Sequence, residues 1–274
     1  ASIAPRAHVH NDIDGDGKSD AILHRPGNLA YLIMSGNAIV RSRSFTVTGD
    51  WRVVGTGDFD NNGRTDVLFL SASRELFAWM GDGSGFASTR LMAVGTGYSV
   101  IGTGDIDGDG KDDIVLHRPG TIVQLFMDGA RVARSSNVVD DGMVPSIGDF
   151  DGNGRADLAM LKSNGELHVW LSTPSGFSKA LVSTIKTAFS IKAVQDIDGD
   201  GNADLLLFRP GQLVQYLMQG QSVVRSRTFT LTSTYSVAST GVRPGGTAFP
   251  VMPSPPHSRA SERVIEITAP LLEA

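Results

Sequence analysis

Residues 105–113 read Asp-Ile-Asp-Gly-Asp-Gly-Lys-Asp-Asp, with carboxylates at the first, third, fifth and ninth positions and glycine at the sixth. That spacing suits a hard divalent cation. Calcium takes about six to eight oxygen ligands at roughly 2.3–2.6 Å, and alternate side chains of a tight loop can converge on one point. The sixth residue must turn sharply, which glycine does without steric cost. The seventh, Lys111, would contribute only its backbone carbonyl, and Asp113 would close the cage with one or both oxygens.

The nine-residue pattern occurs five times, starting at Asp12, Asp58, Asp105, Asp149 and Asp196, so the intervals are 46, 47, 44 and 47 residues. A near-constant period in this range marks a repeat architecture. The loops at 12–20, 58–66, 105–113, 149–157 and 196–204 hold nineteen of the 29 acids. A metal-free turn does not need so many mutually repelling charges. The formal net charge of −5 is therefore local in origin, and five dications would turn it into +5. Loops two and four carry Asn62 and Asn153 at the fifth position. They are expected to bind the cation more weakly.

The elements that hold such loops must be short and many. Glycine is abundant at 32 residues, aromatics are only 7%, and 41% of the chain is hydrophobic. In the third copy, residues 98–104 (YSVIGTG) read as one short strand and 113–117 (DIVLH) as a second. Arg118-Pro119-Gly120 signals a turn, 122–127 (IVQLFM) a third strand, Asp128-Gly129 a hairpin, and 130–138 a fourth strand. Four strands per unit of about 45 residues is the pattern of a β-propeller blade. The expected fold is thus all-β: a propeller of five clear four-stranded blades with the metal loops in β-hairpins. An EF-hand is excluded, because its twelfth position needs Glu and these copies have Leu23, Phe69, Leu116, Met160 and Leu207.

Leu32, Trp79, Leu125, Trp170 and Tyr216 share one column of the third strand and are expected to pack between blades. Small residues before the loops, such as Gly55-Thr56-Gly57 and Gly102-Thr103-Gly104, suit crowded inner strands. Residues 235–241 (YSVASTG) repeat the inner strand without an Asp loop after them. A Pro-rich stretch at 250–256 and a candidate strand at 264–268 follow. The propeller is assigned to 1–241 and a Pro-rich tail to 242–274. The tail closes a five-bladed ring or supplies a degenerate sixth blade, or the chain is a fragment of a larger ring. Copies one, three and five carry Arg-Pro-Gly turns at Arg25, Arg118 and Arg209, whereas two and four do not. This alternation points to a duplicated two-blade unit and favours an even ring.

The loops, spacing and flanking strands resemble the FG-GAP/VCBS repeats of integrin α-subunit propellers and many secreted bacterial proteins, over roughly residues 7–240. The resemblance implies calcium, up to five ions. The implied side-chain ligands are Asp12, Asp14, Asp16 and Asp20; Asp58, Asp60, Asn62 and Asp66; and Asp105, Asp107, Asp109 and Asp113. The last two sets are Asp149, Asp151, Asn153 and Asp157, and Asp196, Asp198, Asp200 and Asp204. Backbone carbonyls would come from Lys18, Arg64, Lys111, Arg155 and Asn202. It further implies a secreted or cell-surface module for a protein or carbohydrate ligand. The alternative it implies is an accessory or catalytic domain of a polysaccharide-degrading enzyme.

Other functions have less support. Lysines and arginines are scattered, which argues against nucleic acid, and no apolar run is long enough to span a membrane as a helix. There is no cysteine, hence no disulfide or thiolate site. No catalytic constellation stands out. His24 and His117 precede Arg-Pro-Gly turns and read as polar strand ends, since copy five has Phe208 there. Trp51 is a better candidate than Trp79 or Trp170 for an exposed aromatic, although a packed inter-blade tryptophan is the commoner case. Arg41, Arg43, Arg225 and Arg227 recur as R-S-R on fourth strands and read as charges that protect an outer edge.

Overall fold

Each Asp loop is followed by a run of β-branched and large apolar residues, and these runs pair as antiparallel ladders. A computed structural model describes residues 11–140, 143–185 and 188–231. Among the described residues every regular element is a strand. Blade 1 contains β1 (Ala21–Arg25), β2 (Asn28–Ser35) and β3 (Ala38–Thr46). Blade 2 contains β4 (Trp51–Gly57), β5 (Asp66–Ser71), β6 (Glu75–Gly81) and β7 (Phe86–Ala93). Blade 3 contains β8 (Ser99–Gly104), β9 (Asp113–Arg118), β10 (Thr121–Met127) and β11 (Val132–Val139). Blade 4 contains β12 (Ser146–Gly148), β13 (Asp157–Leu161), β14 (Glu166–Thr173) and β15 (Gly176–Thr184). Blade 5 contains β16 (Ser190–Gln195), β17 (Asp204–Arg209), β18 (Gln212–Gln219) and β19 (Ser222–Thr230).

The five sheets form a β-propeller, with β4, β8, β12 and β16 side by side as inner strands. The inner-strand and tail assignments at 235–241, 250–256 and 264–268 lie outside the described residues. In blades 2 to 5 the Asp loops join inner to second strands, as the hairpin reading expected. They share one end of the blades with the turns between third and fourth strands. The Arg-Pro-Gly turns and the crossings between blades lie at the other end.

The third-strand column holds. Ala21 pairs with Leu32, Val67 with Trp79, Ile114 with Leu125, Leu158 with Trp170, and Leu205 with Tyr216. Leu125 and Trp170 are buried, while Leu32, Trp79 and Tyr216 are half-buried. The apolar clusters lie between successive blades. Val115 and Ile122 of blade 3 join Leu158 and Trp170 of blade 4, and Ala159 and Val169 of blade 4 join Leu205 and Met218 of blade 5. Outer strands expose nearly every residue of β3. Removing apolar area from water at about 25 cal/mol per Å² is thus what holds blade to blade.

Inner strands are small because the next blade leaves no room. A Cβ on Gly104 would stand 2.7 Å from the Ala156 Cβ of the neighbouring blade. Both atoms sit on short, rigid stems, so the backbone would have to give. Gly104→Ala is expected to lower stability by about 1–3 kcal/mol, the usual range for overpacking. Urea unfolding measures it, and an unchanged midpoint would show slack between blades.

Candidate metal centre

The loop backbone makes two left-handed turns that set its side chains. At the sixth position Gly17, Gly63, Gly110, Gly154 and Gly201 have φ between +78° and +92°. The fourth position is left-handed too, at Gly15, Asn61, Gly108, Gly152 and Gly199. Glycine or asparagine at every fourth position is a signal of this turn that the sequence carries, since these residues tolerate that region best.

The first carboxylate gathers the amides that these turns expose. Its Oδ2 accepts the N–H of the sixth residue in all five loops, at 2.8–3.1 Å. Its Oδ1 accepts the fifth residue's N–H. The ninth carboxylate is buried in every loop and ties the loop to the blade. Its Oδ2 accepts the second residue's N–H, at 2.8–3.1 Å. Its Oδ1 accepts an amide at the end of the third strand: Met34, Gly81, Met127, Ser172 or Met218, at 2.6–2.9 Å. Asp20, Asp66, Asp113, Asp157 and Asp204 are therefore fold-organising residues whether or not they touch an ion.

Carboxylate oxygens of the first, third and ninth positions lie within 4.8 Å of one another in all five loops. Two oxygens that are each about 2.3–2.6 Å from one ion can be at most about 5 Å apart, so the three fit a single hard cation. Oδ1 of Asp14 and Oδ1 of Asp107 are buried without a hydrogen-bond partner, and such an orphaned acceptor asks for a positive partner. Burial pushes the carboxyls of Asp66, Asp113 and Asp157 up to about 7 and that of Asp204 to about 6, while their amide partners pull the other way. Burial also raises Asp20, Asp105 and Asp149. The donor set is all oxygen, anionic and partly dehydrated, as calcium requires.

The fifth position lies outside this group. Its side-chain oxygen accepts the seventh residue's N–H at 2.8–2.9 Å, whether it belongs to Asp16, Asp109 and Asp200 or to Asn62 and Asn153. Aspartate and asparagine serve this Asx-turn equally, because only an acceptor is needed. The seventh side chains are engaged rather than arbitrary. Lys18 pairs with Asp16 at 2.6 Å and Lys111 with Asp128 at 3.1 Å. Arg155 donates to the Asp107 carbonyl, one loop back, and Arg64 lies against Gly15 in the same sense.

The loops are also bonded to one another. The eighth residue's N–H donates to the first residue's carbonyl in the preceding loop. The pairs are Thr65 to Asp12 at 2.7 Å, Asp112 to Asp58 at 2.8 Å, Ala156 to Asp105 at 2.6 Å and Ala203 to Asp149 at 2.6 Å.

Three other readings meet the structure as follows. His117 is not a polar strand end but is buried, with Nε2 3.0 Å from Asp140 Oδ2. Asp140 Oδ1 accepts the Gly120 N–H. Val47 and Leu231 hold the matching place in blades 1 and 5, each donating its N–H to the turn glycine, Gly27 or Gly211. His24 is half-buried, edge-on to Phe69, with its pKa lowered by burial. Trp51 is half-buried against Phe77, and its Nε1 donates to the Thr48 carbonyl. Arg41 and Arg43 do more than guard an edge: they donate to the carbonyls of Gly83 and Ser84 in blade 2.

The two carboxylate classes separate by mutation. Asp113→Asn turns an amide donor toward the N–H of Met127 or of Ile106 and is expected to cost about 1–3 kcal/mol even in chelator. Asp107→Asn is expected to change stability in chelator by under about 1 kcal/mol, since its Oδ1 holds no protein donor and its Oδ2 pairs with an exposed arginine, Arg134. Chemical denaturation of both variants checks this, and equal costs would contradict the division.

A family model described as an FG-GAP-like repeat matches residues 12–69, 58–116 and 149–207. No curated protein matches the chain. Among solved structures, a lectin of Agrocybe aegerita that recognises non-reducing terminal N-acetylglucosamine is similar, with TM-score 0.61 and 18% identity over 82% of this chain and 66% of that one. The Tc holotoxin pore of Photorhabdus luminescens is similar at TM-score 0.54 and 16% identity, over 82% of this chain and 12% of that one. The chain thus spans less than two-thirds of the lectin and about an eighth of the toxin chain, and at these identities the likeness is one of fold. With three matched segments that together cover more than half its length, the chain belongs to the FG-GAP-like repeat family.

Proposed function

We propose that this chain is a secreted or cell-surface binding module, a propeller whose Asp loops hold calcium and whose opposite end takes a carbohydrate ligand. The observation that carries the calcium half is the fivefold recurrence of three converging carboxylates. Asp12, Asp14 and Asp20 would hold the first ion, and the matching first, third and ninth residues the other four. When bound, calcium supplies the positive charge that lets these buried acids ionise without mutual repulsion.

The likeness to a lectin propeller supports a carbohydrate over a protein as the ligand. So does the division of the two ends of the blades. Calcium loops and their tight hairpins fill one end, which leaves the turns and blade crossings of the other end to meet a ligand. A cleft of about 230 Å³ opens there, lined by Arg52, Val53, Val54, Ser99 and Val100 from the start of β4 and β8. It is small, and with Arg52 among its lining residues it suits a single polar ring better than an extended peptide.

An immobilised glycan panel including terminal N-acetylglucosamine tests this. The chain is expected to be retained by a subset of glycans in calcium, with retention lowered at least about tenfold by Arg52→Ala, the loss typical of one charged hydrogen bond. A folded, calcium-loaded chain that no glycan retains would remove the carbohydrate reading and leave a protein ligand.

A further inference from the structure

Building on the calcium reading, we propose that Arg41 and Arg134 are positioning residues that preset the third carboxylate of loops one and three, making these two the tight cation sites of the ring. Arg134 Nη2 lies 2.6 Å from Asp107 Oδ2, and its guanidinium is stacked 3.3 Å from the centre of the Phe126 ring. Arg41 Nη2 lies 3.6 Å from Asp14 Oδ2 and donates to the Gly83 carbonyl at 3.3 Å. In loop three the arginine holds one carboxylate oxygen by a hydrogen bond and in loop one it stands beside that oxygen as a longer ion pair, and in both the other oxygen, Oδ1, is buried with no partner. A carboxylate held by one oxygen cannot turn its free oxygen away, so the ion meets a ligand already in place.

The even blades lack this device. Arg41 faces Ile33 and Arg134 faces Phe126 across the outer ladder, and the same register in blades 2 and 4 pairs Met80 with Ala87 and Leu171 with Ser178. There Oδ1 of Asp60 and Oδ1 of Asp151 are engaged by the loop's own amides, Asn62 N–H at 3.2 Å and Asn153 N–H at 3.3 Å. An ion in loop two or four must share that oxygen with an amide. Blade 5 places Arg225 in the matching register opposite Leu217, but its Asp198 is exposed, so loop five falls with the weak class. The difference between loops one and three and loops two and four thus originates on the outer strand and not in the Asn of the fifth position.

The opposing effect is the arginine's own charge, which repels a dication. The two effects have opposite signs in one experiment. Calcium titration calorimetry of the whole chain is expected to show two tight sites and a weaker remainder. Arg134→Met is expected to move one tight equivalent about tenfold toward weaker binding, within the range for outer-shell partners. Arg41→Met should do the same for a second equivalent, Arg134→Lys should restore most of the loss, and Ala87→Gly in blade 2 should change nothing. Melting in chelator serves as the structural readout and is expected to match wild type for Arg134→Lys. Unchanged or tighter calcium binding by Arg134→Met would overturn the proposal in favour of simple repulsion. A wild-type chain that binds no calcium at all would instead overturn the calcium reading on which it rests.

Discussion

The structure depends on buried carboxylates that collect backbone amides. Each ninth-position aspartate accepts one N–H from its own loop and one from the third strand of its blade. A charged hydrogen bond is worth about 1.5–3 kcal/mol, and an unsatisfied buried amide costs about as much. The loop, the second strand and the third strand are therefore locked at one point per blade. The eighth residue then links each loop to the one before it through a single amide–carbonyl bond. Local loop geometry thus becomes ring geometry. The burial that makes these bonds strong also makes the acids reluctant to ionise. This conflict between organisation and charge is what a bound cation would relieve.

The alternation of Arg-Pro-Gly turns has a structural counterpart at the opposite end of the blades. Blades 1 and 3 bring an arginine from the outer strand to the third carboxylate, as Arg134 does to Asp107. Even loops send a seventh-position arginine back into the preceding odd loop, as Arg155 does to the Asp107 carbonyl. Asp107 is thus approached from its own blade and from the next. The repeating unit in electrostatic terms is a pair of blades, and the odd loop is the focus of each pair.

What was legible in the sequence follows from what is local. Asp, Gly and the apolar runs recur at fixed offsets within one unit, so the loops, the strand order and the Leu125 and Trp170 column could be read from spacing alone. At the fifth position an aspartate that caps a turn and one that faces an ion look the same in sequence. Asp16 and Asn62 perform the same capping task. The contacts that were missed join residues far apart in the chain. Arg134 meets Asp107 across 27 residues, and His117 meets Asp140 across two intervening strands. Such pairs appear once per blade at most, so no repeat average reveals them. The apolar residues at the Asp140 position of other blades, Val47 and Leu231, disguised that site further.

The most direct test of the account is the thermal melting midpoint in excess chelator and in about 2 mM calcium, the extracellular range for such modules, each at pH 5 and pH 8. Without metal, the acids raised to about 7 hold protons in the folded chain that the unfolded chain, with ordinary values near 3.8, has already released. Stability in chelator should therefore fall as pH rises from about 4 to 7 and level off above that. Calcium favours the ionised form, so its stabilisation should be larger at pH 8 than at pH 5. Midpoints that are the same with calcium and with chelator at both pH values would contradict the claim that these loops are cation sites on which the ring depends.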